Sequence, residues 1–251
     1  MSFSIKLGNF LYNYAFVLYK PMYIGFKNKQ DAFEIELLKK YIPVNATVLD
    51  IGANIGFYAT ILSKIVGQNG KVYCFEPDTT NFNHLKKTTL GLINITIENK
   101  AVGPKTEKLK IYTSKNLNVD HRTYKPDDYD AEFEIDAISI DDYFDSAALK
   151  NKRIDFIKMD IQGFEMQAMQ GMQRTLEANP NIQLISEFWP YGLRKAGSSL
   201  NLYYDFLIGK GFTCYLLEKN SLLKLNPDKV HTLQDLGEEH YFNIFATQYA
   251  I

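Results

Sequence analysis

Asp50 closes the apolar run ATVLDI, and Gly52, Asn54 and Gly56 follow before a helical pattern begins at Phe57. Glu76 closes the next apolar run, KVYCFE, twenty positions after Gly56. In open α/β sheets ligands bind beyond the C-terminal ends of the strands, and the first strand-to-helix turn is a preferred place. Glycines there let the backbone approach a ligand closely. An acid ending the second strand can accept hydrogen bonds from two ribose hydroxyls. A glycine-bearing turn alone is weak evidence, since a tight turn needs no ligand. Turn and acid together, at this spacing on consecutive strands, point to a nucleotide.

The type of nucleotide follows from what the turn lacks. A dinucleotide site of the G-x-G-x-x-G kind brings backbone amides and a helix N-terminus onto a pyrophosphate. Here Asn54 and Phe57 stand at the second and third glycine positions, and Asp50 would repel a phosphate. S-adenosylmethionine suits the turn better, because it carries no phosphate, a cationic sulfonium, and an ammonium that Asp50 can anchor. The rival on this ground is a nicotinamide-dependent oxidoreductase on a similar sheet.

The elements that must hold these residues alternate in type. From Ala46, strand-like ATVLDI, helical FYATILSKIV, strand-like KVYCFE, a polar-faced helix from Asp78 to Leu90 and strand-like ITIENKAV follow in order. Such β-α-β-α-β order predicts a parallel sheet with right-handed crossovers and helices on both faces. After Gly103 the alternation breaks: KLKIYT and AEFEIDAISI read as strands, separated by a polar stretch over 114–130. A run of that length suggests an active-site lid or a mobile linker. Alternation resumes with RIDFIKMD, the helical FEMQAMQGMQRTLEA and IQLISEFW, then a helix over 203–208 and the strands GFTCYLLE and YFNIFATQ. The last two could pair antiparallel at the sheet edge. Residues 1–43 read as a helical extension, with Asp31 and Glu34 resembling a capping box for a helix that Pro43 must end. The expected layout is this extension followed by one domain over 44–251, with a lid around 113–131.

VLDIGANIGFYA, VYCFEPD, NKAVG and FIKMDIQGFEMQAMQGM, in this order, resemble the FkbM family of methyltransferases that use S-adenosylmethionine. The first motif is common to many methyltransferases, whereas K-M-D-I-Q-G-x-E is more particular to this family. The likeness covers about residues 46–189, extends into EFWPYGLRKAG, and leaves 1–43 outside. It implies a Rossmann-like fold with a seven-stranded sheet, mostly parallel with an antiparallel last strand, and O-methylation of a sugar, glycan or polyketide hydroxyl as the usual reaction. Carried over by position, Asp50, Gly52, Asn54 and Gly56 would line the methionine end and Glu76 the ribose. Asn99, Ala101 and Val102 would lie near the adenine.

Asp160 ends the fourth strand, where it would stand beside the transferred methyl as a cofactor contact, a base or a cation ligand; helix capping is its plain alternative. Glu165, in the first turn of the next helix, suits the helix dipole. Glu187 ends the fifth strand, and Asp160 with Glu187 could hold a divalent cation such as Mg²⁺, which nothing in the spacing demands. Trp189 and Arg194 follow in a loop where they would suit a polyhydroxyl acceptor, or serve only packing. Within the 114–130 stretch, Asp120, His121 and Arg122 form a cluster in which His121 could act as general base near neutral pH. Asp120 would orient it and Arg122 hold the substrate. The reading is therefore an O-methyltransferase, with His121 or Asp160 assisting deprotonation. N-methylation on the same fold and a non-catalytic cofactor-binding scaffold are its alternatives. His84, near Asn81 and Lys87, reads as part of a solvated helix face.

Composition bounds the rest. With 28 basic and 29 acidic residues in 251, the net charge of −1 argues against nucleic-acid binding through bulk electrostatics. Cys74 and Cys214 sit in apolar strand-like runs as buried free thiols. The N-terminal apolar run, broken by Asn9 and Asn13, is too short and polar to cross a bilayer, so the chain is expected to be cytoplasmic. Phe10, Tyr12, Tyr14, Phe16, Tyr19, Tyr23 and Phe26 make an aromatic cluster that could pack as a helix, cap the acceptor pocket, pair two subunits or rest on a membrane. Few basic residues accompany it, which weakens the membrane reading.

Overall fold

Four of the apolar runs lie side by side as strands whose residues are almost all buried, as runs without polar alternation do when helices cover both sheet faces. They are β1 (Thr47–Ile51), β2 (Lys71–Phe75), β8 (Phe156–Met159) and β9 (Gln183–Phe188). The computed structural model describes residues 8, 10–12, 14–114, 121–122, 129–146, 149–150 and 152–249. With β3 (Ile95–Glu98), β10 (Thr213–Glu218), β11 (Ser221–Lys224) and β12 (Phe242–Thr247), the sheet runs β11-β10-β12-β9-β8-β1-β2-β3. The β3 to β9 side is parallel throughout, and β12 enters antiparallel to β9, pairing Phe242 with Phe188. Seven strands match the expectation, and β11 adds an eighth by folding back on β10. The last two expected strands do pair antiparallel, but β12 lies inside, between β9 and β10, and not at the edge.

Neighbouring residues along each strand feed opposite cores. Leu49, Ile51, Phe75, Ile157 and Leu184 pack into one cluster, and Val48, Val72, Cys74, Phe156 and Ile185 into the other. The first is covered by α6 (Glu165–Gln170), α7 (Gln173–Ala178), α9 (Leu200–Gly209) and α10 (Pro227–Leu233). The second is covered by α2 (Ala32–Tyr41), α3 (Phe57–Val66) and α4 (Thr79–Thr88). Preceding them is α1 (Phe16–Gln30), itself preceded by helical residues at 8, 10–12 and 14; α5 (Ile140–Asp145) lies between the two sheets' strands in the chain and α8 (Pro190–Lys195) follows β9.

Local readings give way where tertiary partners compete. The run ITIENKAV divides at Asn99: β3 stays beside β2, while β4 (Ala101–Val102) joins a second sheet, β4-β7-β5-β6. Here β5 is Glu107–Ser114, β6 is His121–Arg122 and β7 is Tyr129–Ile138. Part of the expected lid is thus strand, with Thr113 paired to His121 and Tyr112 to Arg122. The anticipated capping box opens a helix at the expected place without capping it. Asp31 instead accepts from the Tyr58 hydroxyl at 2.7 Å and pairs with Lys27, while the Glu34 carboxylate turns inward to Lys158 and Asn243. His84 is not on a solvated face: Phe16 stacks on its ring at 3.4 Å and 14°, and Tyr12 meets it edge-on.

The helix expected over 164–178 breaks in two at Gly171, where the backbone just after β4 passes too close for a side chain. A Cβ there would lie 2.0 Å from the Gly103 carbonyl oxygen and 3.1 Å from Ser139 Cβ. Gly171→Ala must push the α6–α7 joint off the second sheet and is expected to lower stability by about 1–3 kcal/mol, several degrees in Tm. Gly209→Ala, at a helical position with nothing within 4 Å of a new Cβ, should raise stability by about 0.5 kcal/mol. Thermal melts of the two variants check the opposite signs.

Candidate active site

The C-terminal ends of β1, β2 and β8 open into a cleft of about 1140 Å³, counting its solvent-filled mouth. Gly52 permits its floor. The residue adopts φ +84°, and a Cβ would sit 1.9 Å from the Asp160 carbonyl oxygen, so the turns after β1 and β8 meet backbone to backbone. Asn54 takes the left-handed conformation that a glycine would ordinarily supply, at φ +50°, and its own Oδ1 accepts from Ile55 N–H at 2.7 Å.

Two carboxylates dominate the floor. Asp50 is 2% exposed, and the contact it receives from the Cys74 thiol is long, at 4.0 Å. Burial lifts its carboxyl to about 7; Lys158 opposes the rise, while Asp160 and Glu34 add to it. Glu76 is set by backbone donors: Asn54 N–H to Oε2 at 2.8 Å and Asp78 N–H to Oε1 at 2.9 Å. Burial lifts it to about 8 against those hydrogen bonds. Each oxygen that takes one backbone donor keeps a lone pair for a ligand hydroxyl.

Several expected residues stand around this floor. Asp50, Gly52, Asn54, Glu76, Ala101, Val102 and Asp160 all line the cleft. Gly56 and Asn99 support it from behind: Gly56 caps α3, and the Asn99 amide donates to the Glu76 and Pro77 carbonyls at 2.8 and 3.0 Å. Glu187 is reached through Gln162, whose Nε2 lies 3.2 Å from Asp160 Oδ1 and 3.4 Å from both Glu187 oxygens. Glu165 accepts from Ile161 and Gly163 N–H, closing the loop after Asp160. Among the described residues no group of three His, Cys, Asp or Glu side chains is arranged to hold a metal ion.

Other expected residues are placed elsewhere. The Trp189 indole donates to the Glu238 carbonyl at 3.0 Å, and Arg194 donates to the carbonyls of Gln234 and Leu236. These two brace the segment over 234–238 and are not among the cleft residues. Asp120 lies outside the described residues, as do the side chains of His121 and Arg122. The backbone of His121 is on β6, the outermost strand of the second sheet. It pairs with Thr113, six residues along β5 from Glu107, whose partner Ala137 also pairs with Ala101 at the cleft. Six residues of strand are about 20 Å.

Sequence reasoning missed four contributors. Lys158 is buried beneath the cleft, 3.5 Å from Glu34 Oε1, with its ammonium 4.7 Å from the Tyr58 ring centroid. Burial works against its charge, but Glu34, Asp160, Asp50 and Glu187 together outweigh that and hold it above the usual lysine range. Gln162 bridges two carboxylates from a left-handed backbone, φ +57°. Tyr23 and Lys27 reach the cleft from α1. An apolar run with one lysine in it, KMD, was the available signal for Lys158; nothing local marks the others.

The donor set fits S-adenosylmethionine. A desolvated carboxylate at the floor suits an ammonium, and a fixed acid at the second strand end suits a ribose. The acidic excess of Asp50, Glu76 and Asp160 over the buried Lys158 suits a sulfonium.

Comparison with known proteins agrees in kind. The chain is similar in structure to a Klebsiella pneumoniae protein provisionally named an O-methyltransferase, with TM-score 0.51 and 10% identity over 88% of this chain and 80% of that one. It is also similar to a Clostridium thermocellum protein provisionally named an rRNA methylase, with TM-score 0.50 and 11% identity over 85% of this chain and 94% of that one. At such identities the likeness shows a shared Rossmann-like α/β fold. No curated protein matches the sequence. The model of the methyltransferase FkbM domain matches residues 50–209, well over half of the 251. It spans the strand ends, the Lys158 site and the Gln162 loop, and the chain therefore belongs to the FkbM methyltransferase family.

Proposed function

We propose that this chain transfers a methyl group from S-adenosylmethionine to a hydroxyl of a sugar, glycan or polyketide-like acceptor. The observation that carries this reading is the pairing of a desolvated Asp50 with a backbone-fixed Glu76 on adjacent strand ends, in a cleft that continues to Asp160. When bound, S-adenosylmethionine supplies an electrophilic methyl on a cationic sulfur. Asp50 would hold the ammonium, Glu76 the ribose hydroxyls, and Ala101 with Val102 the flank of the adenine. Asp160 takes the role of base toward the acceptor hydroxyl, its orientation set by the Gln162 amide and its position by the tight β1–β8 crossing. A hydroxyl is a poor nucleophile until its proton leaves, so a carboxylate within hydrogen-bond reach is the economical solution. Tyr23 and Lys27 close the acceptor side and help exclude water.

Screening sugars, glycans and polyketides with isotopically labelled methyl donor tests the reading, and a base-stable methyl ether is the expected product. With such an acceptor, Asp160→Asn should lower turnover at least about 100-fold while S-adenosylhomocysteine affinity changes less than about threefold. His121→Ala should cost less than about threefold, given its strand position. An equal loss in both variants would move the base to the second sheet.

The raised carboxyls give a pH signature of definite sign. Protonation neutralises Asp50 as pH falls through about 7, so S-adenosylhomocysteine should bind about tenfold more tightly at pH 8 than at pH 6. Asp50→Asn should bind more weakly and lose most of that step. Both folded-state values lie above the ordinary carboxylate range, so the stability linked to these groups is complete below about pH 4. It is lost as pH rises through 7–8. The ligand-free Tm should accordingly fall between pH 5 and 8.5, and fall less in Asp50→Asn; calorimetry at matched ionic strength reads both effects.

A further inference from the structure

The N-terminal helical segment has two unlike faces. Its inner face carries Tyr12, which is buried and donates to Asn81 Oδ1 at 2.5 Å, together with Phe16 on His84 and Tyr23 against Phe57. Its outer face carries Phe10, Tyr14, Val17, Leu18, Met22 and Phe26, between 57% and 85% exposed. Pro21 and Gly25, also exposed, fall on the same side. Within α1 the exposed positions 17, 18, 21, 22, 25 and 26 follow the helical repeat and are all apolar, and Phe10 and Tyr14, before the break at Ala15, extend the exposed apolar surface. Single exposed apolar residues are ordinary, but a continuous stripe of this length marks a surface that something covers.

Charge selects the cover. Residues 1–30 contain Lys6, Lys20, Lys27 and Lys29 and no Asp or Glu, in a chain whose net charge is −1. On the adjoining helices Lys39, Lys40, Lys86 and Lys87 are exposed, against one exposed acid, Glu36. A two-fold pairing of two copies through the stripe would set this acid-free, lysine-bearing segment against itself. An anionic lipid surface meets both halves of the pattern: acyl chains take the Phe, Leu and Met side chains, and headgroups take the ammoniums. Among the described residues no helix is long and apolar enough to cross a membrane, so the segment would lie in the interface. Lys27 is paired with Asp31 on the cleft side, so on this segment the headgroup contacts fall to Lys20 and Lys29.

We propose that the outer face of residues 10–26 seats this protein on anionic membranes. The same helix lines the cleft through Tyr23 and Lys27, so docking would bring the cleft to the lipid surface. The test is co-sedimentation of the full chain with phosphatidylcholine vesicles, with and without about one third phosphatidylglycerol. Binding is expected to the anionic vesicles, to weaken with salt, and to fall at least about tenfold in Leu18→Glu/Met22→Glu and in Lys20→Glu/Lys29→Glu. None of these four residues lines the cleft, so both variants should keep wild-type S-adenosylhomocysteine binding, which certifies their fold. The proposal is overturned if the wild-type chain stays unbound by anionic vesicles, or if Leu18→Glu/Met22→Glu binds them as well as wild type. A stripe-dependent dimer by light scattering, without vesicle binding, would overturn it in favour of a second copy. The readout needs no acceptor, so it stands or falls separately from the methyl-transfer reading.

Discussion

One buried ammonium ties the cleft together. Lys158 sits in the middle of the sheet with carboxylates converging on it from four elements: Glu34 from α2, Asp50 from β1, Glu187 from β9 and Asp160 beyond its own strand. An unpaired charge in that position would cost several kcal/mol, and deleting one partner of a buried pair typically costs about 3–5. Asp50 depends on it in turn: burial pushes its carboxyl up to about 7 with Lys158 opposing the rise. The arrangement therefore couples ligand chemistry to folding. On the proposed reading, the cation beneath Asp50 offsets part of the cost of burying a carboxylate that would meet a cationic ligand.

That dependence explains why α2, which precedes the matched family region, is continuous with the site. Glu34 accepts from Asn243 on β12 as well as facing Lys158, so a single carboxylate stitches the N-terminal helices to the centre and the antiparallel side of the sheet. Tyr58 completes the enclosure. Its hydroxyl is fixed by Asp31, and its ring face lies against the Lys158 ammonium, a favourable cation–π geometry for a desolvated charge.

The features legible in the sequence were those with a local cause. Strand ends marked by Asp50 and Glu76, the helix starting at Phe57 and the parallel order all follow from periodicity and from turn residues within a few positions. The features that were not legible depend on partners far away in the chain. Asp31 and Glu34 satisfy the capping-box pattern, yet partners on α3, β8 and β12 outcompete the local amides. His84 sits on a polar-faced helix, and only the aromatic segment seventy residues earlier covers it. Trp189 and Arg194 have side chains suited to an acceptor, but carbonyls over 234–238 bind them. In each case a side chain's chemistry was legible, and its partner was set by topology.

The aromatic excess at the N-terminus follows the same logic. Packing against α3 and α4 needs only the inner residues, Tyr12, Phe16, Tyr19 and Tyr23, and these bury or half-bury. If packing were the whole role of the segment, the outer positions would carry the polar residues that α2 and α4 present to solvent, among them Lys39, Lys40, Lys86 and Lys87. They carry Phe, Tyr, Val, Leu and Met. Folding against the domain cannot account for side chains that folding leaves in water, at a cost of about 25 cal/mol for each Å² of apolar surface that a cover would remove. The inner face thus answers to the domain, through Asn81, His84 and Phe57, and the outer face to the lipid cover proposed above. On the proposal above, a single helix links the site, through Tyr23 and Lys27, to the surface at which the protein would dock.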